Sequence, residues 1–292
     1  MQKSRLPLLL VLPAIIVTAV IVEFPFLMSL YVSLTDWGPR SPFGATFIGI
    51  DNYTALLSDY YFWNSLRVLG IFAVSSVTLS FAIGMVLAFV LDRPLRGVRV
   101  LKTIMIIPMT LTPVVVSISW KMLYNPSFGL IDYLLSLFGM PTPNWLSSGS
   151  WALLAVVLVD VWQWTPFMTL IFLAGLQSLP PSTLEAAKID GASWLNVVKH
   201  VTIPLLRPLL TLAVLFRMVD CLKTFDIIYA LTKGGPGSTT ETLNIYTFKQ
   251  MFRFYNIGYA GALAVIFLAI TMIVGTLISK KISFGEEIIE KT

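Results

Sequence analysis

The chain has one cysteine, Cys221, and one histidine, His200. A single cysteine excludes an internal disulfide and leaves too few thiolates for a structural zinc site. A single histidine argues against imidazole-based catalysis or metal binding. Charge is scarce as well: 12% of the residues are Asp, Glu, Lys or Arg, against about 25% in an ordinary soluble domain. No GxxxxGK[ST] loop occurs, so the chain does not hold ATP by that route. No nucleophile–base–acid set, low-complexity run or internal repeat is visible, and a membrane enzyme is rejected on the first of these.

Apolar sequence is what the chain has in abundance. Hydrophobic residues make up 57% of it, and the mean hydropathy is +0.83. Six long apolar runs stand at about 6–34, 66–91, 103–123, 152–176, 208–231 and 258–279. Each has close to the roughly 20 residues a helix needs to cross a bilayer. The expected fold is an all-α integral membrane protein with six transmembrane helices, in one transmembrane domain over 1–292. Lys3 and Arg5 before the first run resemble the start of a signal peptide. That run is too long for an h-region and no small-x-small cleavage site follows, so it reads as an uncleaved span.

Lys and Arg near span ends orient the chain. With the N-terminus inside, the inner segments hold Lys3, Arg5, Arg93, Arg96, Arg99, Lys102, Lys188, Lys199, Arg207, Lys280, Lys281 and Lys291. The outer ones hold Arg40, Arg67, Lys121, Lys233, Lys249 and Arg253. The twofold excess puts both termini in the cytoplasm, together with the loop at about 178–207. Trp37, Trp63, Trp145 and Trp151 fall where an outer aromatic belt belongs.

The loop contains Glu185–Pro208, the longest polar interruption between two apolar runs. Two short helices can be read in it. Ser182 or Thr183 is placed to cap the first, Gly191 to end it, and Ala192–His200 to form the second before Pro204. Trp194, Val197, Val198 and Val201 share one face of that second piece. Such an amphipathic elbow suits the grip of a partner.

Charges inside spans are costly and usually face a cavity or a partner. The fourth run carries Asp160. The fifth carries Arg217, Asp220, Lys223 and Asp226, with Arg217 roughly 14 Å beyond Pro208, near mid-bilayer. Steps of three drift around a helix, so a continuous fifth helix sets Arg217 and Asp226 on opposite faces. Asp160, Arg217 and Asp220 suit a polar, water-filled path, or else ion pairs that weld helices together. Lys223 and Asp226 fit the second reading better. Trp162, Gln163 and Trp164 after Asp160 supply the aromatic faces and amide that a sugar or polyol site needs. Glu23 before Pro25 suggests a kink with a satisfied carboxylate, and TKGGPG at 232–237 a helix terminator.

Glu185-Ala186-Ala187, then three residues, Gly191, nine residues and Val201-Thr202-Ile203-Pro204 resemble the EAA signature of ABC-importer permeases. The likeness extends to SLTDWGP at 33–39, FIGIDNYTALL at 47–57, FDIIYALTKGGPGSTTETLNIYTFKQMF at 225–252 and GYAGALAVIF at 258–267. These are similar to the carbohydrate-uptake group of maltose/glycerol-phosphate type, and within it to the first of two paired permeases.

The resemblance implies a type I ABC-importer permease fold in the cell (inner) membrane. It implies a translocation path shared with a homologous second permease, and two copies of a cytoplasmic ATPase that uses ATP and Mg. It also implies an extracytoplasmic substrate-binding protein. No cofactor is expected on this chain itself. Glu185, Ala186, Ala187, Gly191 and Pro204 would form the ATPase-coupling elbow: Glu185 meeting a basic group, the alanines permitting close approach, Gly191 allowing the turn. By alignment with relatives, Asp160, Trp164, Phe167, Arg217, Asp220, Cys221 and Thr224 would line the substrate path. Polyols, neutral sugars and acidic or phosphorylated sugars paired with Arg217 all fit. The competing class is an ion-coupled secondary transporter with Asp160 and Asp220 as proton carriers. It predicts inverted repeats and leaves the elbow without a purpose.

Overall fold

The computed structural model describes residues 6–39, 41, 45–94 and 96–289; Lys3, Arg5, Arg40 and Lys291 lie outside them. Helices dominate, and among the described residues the only β feature is an isolated bridge between Thr35 and Phe47. The chain divides into two compact units, one of 1–63 with 246–270 and one of 64–245 with 271–292.

The first unit begins with α1 (Leu6–Thr18), a π turn (Ala19–Glu23) and α2 (Phe24–Ser33). Glu23 is exposed, and among the described residues no hydrogen bond or ion pair holds it, so the expected satisfied carboxylate is corrected. Beyond α2 the loop folds back on itself. Asn52, on α3 (Asp51–Leu57), donates to the carbonyls of Ser33 and Thr35 at 2.8 Å each. Asp59 accepts hydrogen bonds from Tyr246 and Tyr259. The Gly258 N–H donates to the Trp37 carbonyl at 2.7 Å. A Cβ on Gly258 would collide with the Thr35 carbonyl oxygen, so glycine is required there.

The second unit is organised around α8 (Gly149–Ser178), which is buried along most of its length. α4 (Tyr60–Leu91) crosses it at Gly84, where an added Cβ would come within 2.9 Å of the Met168 Cβ. α11 (Ile203–Lys223) crosses it at Gly175, packed under Leu206 and Leu209. Without side chains at these crossings the helix axes come close, the usual device where lipid supplies no hydrophobic drive for helix association.

Among the described residues, four stretches are each long and apolar enough to cross a membrane: Leu10–Ser33, Tyr60–Leu91, Gly149–Ser178 and Ile257–Lys280, the last within α14 (Ile257–Ile289). Two of the six expected runs depart from a straight span. The third divides into α5 (Val98–Thr110) and α6 (Pro113–Leu123), bent by 99°. Pro113 is the cause: the residue before a proline is pushed out of the helical region, and Thr112 is extended at ψ 140°. The fifth stops at Lys223, and α12 (Asp226–Thr232) follows as a separate short helix. Thr224 is extended at ψ 122°. The Asn244 side chain donates to the freed Leu222 carbonyl at 3.0 Å, compensating a backbone group that a helix end leaves open.

α7 (Leu130–Leu137) and α13 (Leu243–Phe248) lie in the loops. Trp145 is not a belt residue: it is buried, with its indole N–H on Asp132 at 2.7 Å. The TKGGPG turn does terminate α12. Lys233 is left-handed at φ 54°, and the Thr240 hydroxyl donates to the Gly235 carbonyl at 2.8 Å.

Candidate functional site

Asp160 on α8 and Arg217 on α11 meet as an ion pair with both side chains wholly buried. Arg217 reaches in a second direction to Asp220, one turn along its own helix, at 2.8 Å. Its guanidinium carbon lies 5.5 Å from the Trp164 ring centre, within the range of a cation–π contact. Taking two charges out of water costs several kcal/mol per ion unless each finds a partner. The double contact of Arg217 supplies that compensation.

The pairing leaves polar atoms over. Asp160 Oδ1 and Arg217 Nε are buried without a hydrogen-bond partner, as are the hydroxyls of Ser76 and Ser80 and the Oε1 of Gln163. Unsatisfied buried polar atoms are few in folded proteins; with Thr242 Oγ1 there are six among the described residues of this unit, which marks an interior arranged for polar contact. Ser76 and Ser80 escaped the sequence reading. The signal for them is two hydroxyl residues four apart on one face of an otherwise apolar run. Gln163 uses its amide nitrogen to hold the Leu111 carbonyl at 2.9 Å, at the bend between α5 and α6.

Next to this cluster is a cleft of 160 Å³ lined by Pro113, Trp164, Asp220, Lys223, Thr224, Phe225, Asp226 and Ile227. The break after Lys223 makes it. A continuous helix would set Asp226 opposite Arg217, as expected from sequence; the break instead puts Asp226 on a separate short helix and brings it, Asp220 and Lys223 to one opening. Lys223 and Asp226 are exposed, and among the described residues neither forms an ion pair.

The structure thus gathers Asp160, Trp164, Arg217, Asp220 and Thr224. Thr224 also donates its hydroxyl to the Asp220 carbonyl at 3.2 Å. Phe167 stands edge-on to Trp164, ring centres 6.3 Å apart. Cys221 is wholly buried and does not line the cleft.

The elbow joins the same two helices. α9 (Pro181–Ile189) starts with proline at its first position, where the missing N–H costs nothing, so Ser182 lies inside the first turn and does not cap it. Gly191 is left-handed at φ 78° and reverses the chain. Ser193 caps α10 (Trp194–Val197), accepting from the Asn196 N–H at 3.4 Å. The helix does not stop at Pro204: a π turn (Val198–Thr202) leads without interruption into α11. Glu185 and Ala186 are exposed and Ala187 is half-buried. Ile189, Trp194 and Leu195 present 84%, 61% and 65% of their surface. The Trp194 ring stands edge-on to Phe89 of α4, ring centres 5.9 Å apart.

The described chain thus combines long apolar helices, a buried charge cluster and an exposed helical elbow between the two helices that hold it. Residues 80–283 match the family described as binding-protein-dependent transport system inner membrane component. The chain belongs to that family. It is 40% identical to a probable ABC transporter permease protein of Sinorhizobium fredii, over 89% of this chain and 84% of that one. It is 38% identical to a trehalose/maltose transport system permease protein of Thermococcus litoralis, over 89% of this chain and 86% of the relative. A solved bacterial ABC transporter involved in the import of the acidic polysaccharide alginate shares the fold. Its TM-score is 0.82 at 19% identity, over 97% of this chain and 96% of that one.

Proposed function

We propose that this chain is the permease subunit of an ATP-driven importer for a sugar, sugar alcohol or related carbohydrate. The observation that carries the reading is one of continuity. The exposed elbow runs directly into α11 and is separated from α8 only by Leu179 and Pro180, and these two helices hold the charge cluster and the cleft. A push on the elbow would be transmitted as rigid movement of both.

In this reading the chain crosses the inner membrane six times. α5–α6 is one broken crossing, α11–α12 another, and both termini are cytoplasmic, as the Lys and Arg distribution supports. Residues 1–292 act as one permease domain. The chain carries no enzyme activity and no cofactor. Two copies of a separate ATPase subunit bind ATP and Mg, seat the elbow and grip Glu185, Ala186 and Ala187, while Gly191 and Pro204 set its shape. A homologous second permease completes the path, and an extracytoplasmic binding protein delivers solute. Asp160, Trp164, Phe167, Arg217, Asp220, Cys221 and Thr224 belong to the path, Cys221 as packing behind it.

Co-purification and uptake test this. The tagged chain is expected to bring down an ATPase subunit. Asp220→Ala is expected to remove solute uptake while ATP hydrolysis by the partner remains detectable. Isolation with no ATPase, or unchanged uptake after replacement of both Glu185 and Gly191, would refute it.

A further inference from the structure

The charge balance of the cleft bears on a question that carbohydrate import leaves open: whether the solute is neutral or anionic. A buried arginine in a transport path suggests an anion site at first sight, because a guanidinium matches carboxylate and phosphate. Here that site is already occupied by the chain's own groups. One terminal nitrogen of Arg217 pairs with Asp160 and the other with Asp220. One face of the guanidinium lies toward Trp164. Only 1% of the residue's surface is accessible, and Arg217 does not line the cleft. A solute anion would have to displace one of these carboxylates: Asp160 would be left buried with neither partner nor water, a costly state, and Asp220 would remain in the cleft as a like charge beside the anion.

The groups that do line the cleft point the same way. Asp220, Lys223 and Asp226 bring two carboxylates and one ammonium. The Asp160–Arg217 pair behind them adds no net charge. The lining is therefore net negative and repels an anion. Asp220 is 45% exposed at its side chain; it is a ready acceptor for solute hydroxyl groups, which donate well to carboxylates. The Thr224 hydroxyl and the Trp164 and Phe225 rings complete a lining suited to the polar edges and apolar CH faces of a polyhydroxylated molecule.

We infer that the solute passed by this permease bears no negative charge, that Asp220 is a hydroxyl-accepting contact, and that Arg217 is a positioning residue that fixes Asp220 and never touches the solute. This rests on the import reading above and narrows its solute to uncharged polyhydroxylated compounds, excluding sugar phosphates and uronates.

The test uses the complete transport system in proteoliposomes, with its binding protein left unaltered. Radiolabelled trehalose, glycerol, glucose 6-phosphate and glucuronate are supplied in turn. ATP-dependent uptake is expected for a neutral member only, without competition from a tenfold excess of either anion. Arg217→Gln is expected to raise KM for the neutral solute severalfold, and Arg217→Lys to restore part of the loss. In Asp160→Asn, where Arg217 loses one partner, competition by the anions is expected to emerge. Saturable uptake of either anion by the wild-type system, abolished by Arg217→Gln, would overturn the inference while leaving carbohydrate import intact. ATP-dependent uptake of none of the four would count against the import reading itself, and this inference would fall with it.

Discussion

Arg217 on α11 and Asp160 on α8 are paired with neither side chain reaching solvent. Removing Arg217 strands Asp160, and removing Asp160 leaves the buried Arg217 with Asp220 as its remaining carboxylate. Asp160→Ala and Arg217→Ala are each expected to destabilise the protein by about 3–5 kcal/mol. The double replacement Asp160→Leu with Arg217→Met, which removes both charges and keeps the volume, is expected to cost less than either single change. A double-mutant cycle on the detergent-solubilised protein, read by thermal unfolding, checks this. Additive losses would mean the two charges act independently.

The crossing of α4 and α8 depends on Gly84 for a different reason. An added Cβ would lie 2.9 Å from the Met168 Cβ and 3.2 Å from the Thr169 backbone nitrogen. Neither neighbour is the free end of a flexible chain, so the helices themselves must separate. Gly84→Val is expected to cost about 1–3 kcal/mol by overpacking, whereas Gly70→Val, where an added Cβ meets nothing within 4 Å, is expected to be tolerated. Melting temperatures of the two variants side by side distinguish local crowding from a general intolerance of valine in α4.

Asp36 gives the loop after α2 a pH dependence whose sign can be worked out. Its carboxylate accepts from the Ser41 hydroxyl and the Thr46 N–H, both at 2.7 Å. The Ser41 bond first, then the bonds from Thr46, hold its pKa below the ordinary carboxylate value. A depressed folded-state pKa means the ordering of the loop is complete above the unfolded value and fades as pH falls through the folded one. Amide exchange at Thr46 is therefore expected to speed up, relative to the intrinsic rate, as pH drops below the usual carboxylate range. In Asp36→Asn that dependence is expected to vanish. Protection that stays constant through this range would show that the two hydrogen bonds do not order the loop.

Which features the sequence disclosed follows from where their causes lie. The elbow was legible because its determinants are local: Gly191 turns the chain where expected, although Pro181 and not a Ser182 or Thr183 cap opens α9, and the Ser193 cap of α10 was not read. Asp160, Arg217 and Asp220 stood out because charge in an apolar run is rare for energetic reasons, although their mutual pairing depends on how α8 and α11 pack. The bend at Thr112 was written in Pro113 but outweighed by the continuous hydrophobicity on both sides. The break after Lys223 was not legible: no proline or glycine marks it, and the Asn244 amide that relieves it comes from a loop further along the chain. Hence Asp226 was placed on a continuous fifth helix, whereas it opens the separate helix α12. Trp145 was misplaced for a similar reason, because its partner Asp132 reaches it only through the fold of the loop.

Gly191 offers the sharpest mechanical test of the elbow. Its φ of 78° lies in the left-handed region, and an added Cβ there would meet no atom within 4 Å. The effect of a side chain is thus purely one of backbone strain, roughly 1–2 kcal/mol for an ordinary L-residue in this region. That strain falls on the turn between α9 and α10, remote from the helix crossings at Gly84 and Gly175. Gly191→Ala is therefore expected to lower the unfolding temperature by only a few degrees while lowering uptake per ATP hydrolysed, because a distorted turn tilts α10 and the helix it continues into. Asparagine enters the left-handed region more readily than alanine, so Gly191→Asn is expected to retain more coupled uptake than Gly191→Ala despite its larger side chain. Should the two variants rank in order of side-chain size instead, steric exclusion by a bound partner, and not the turn's geometry, would be the property that Gly191 protects.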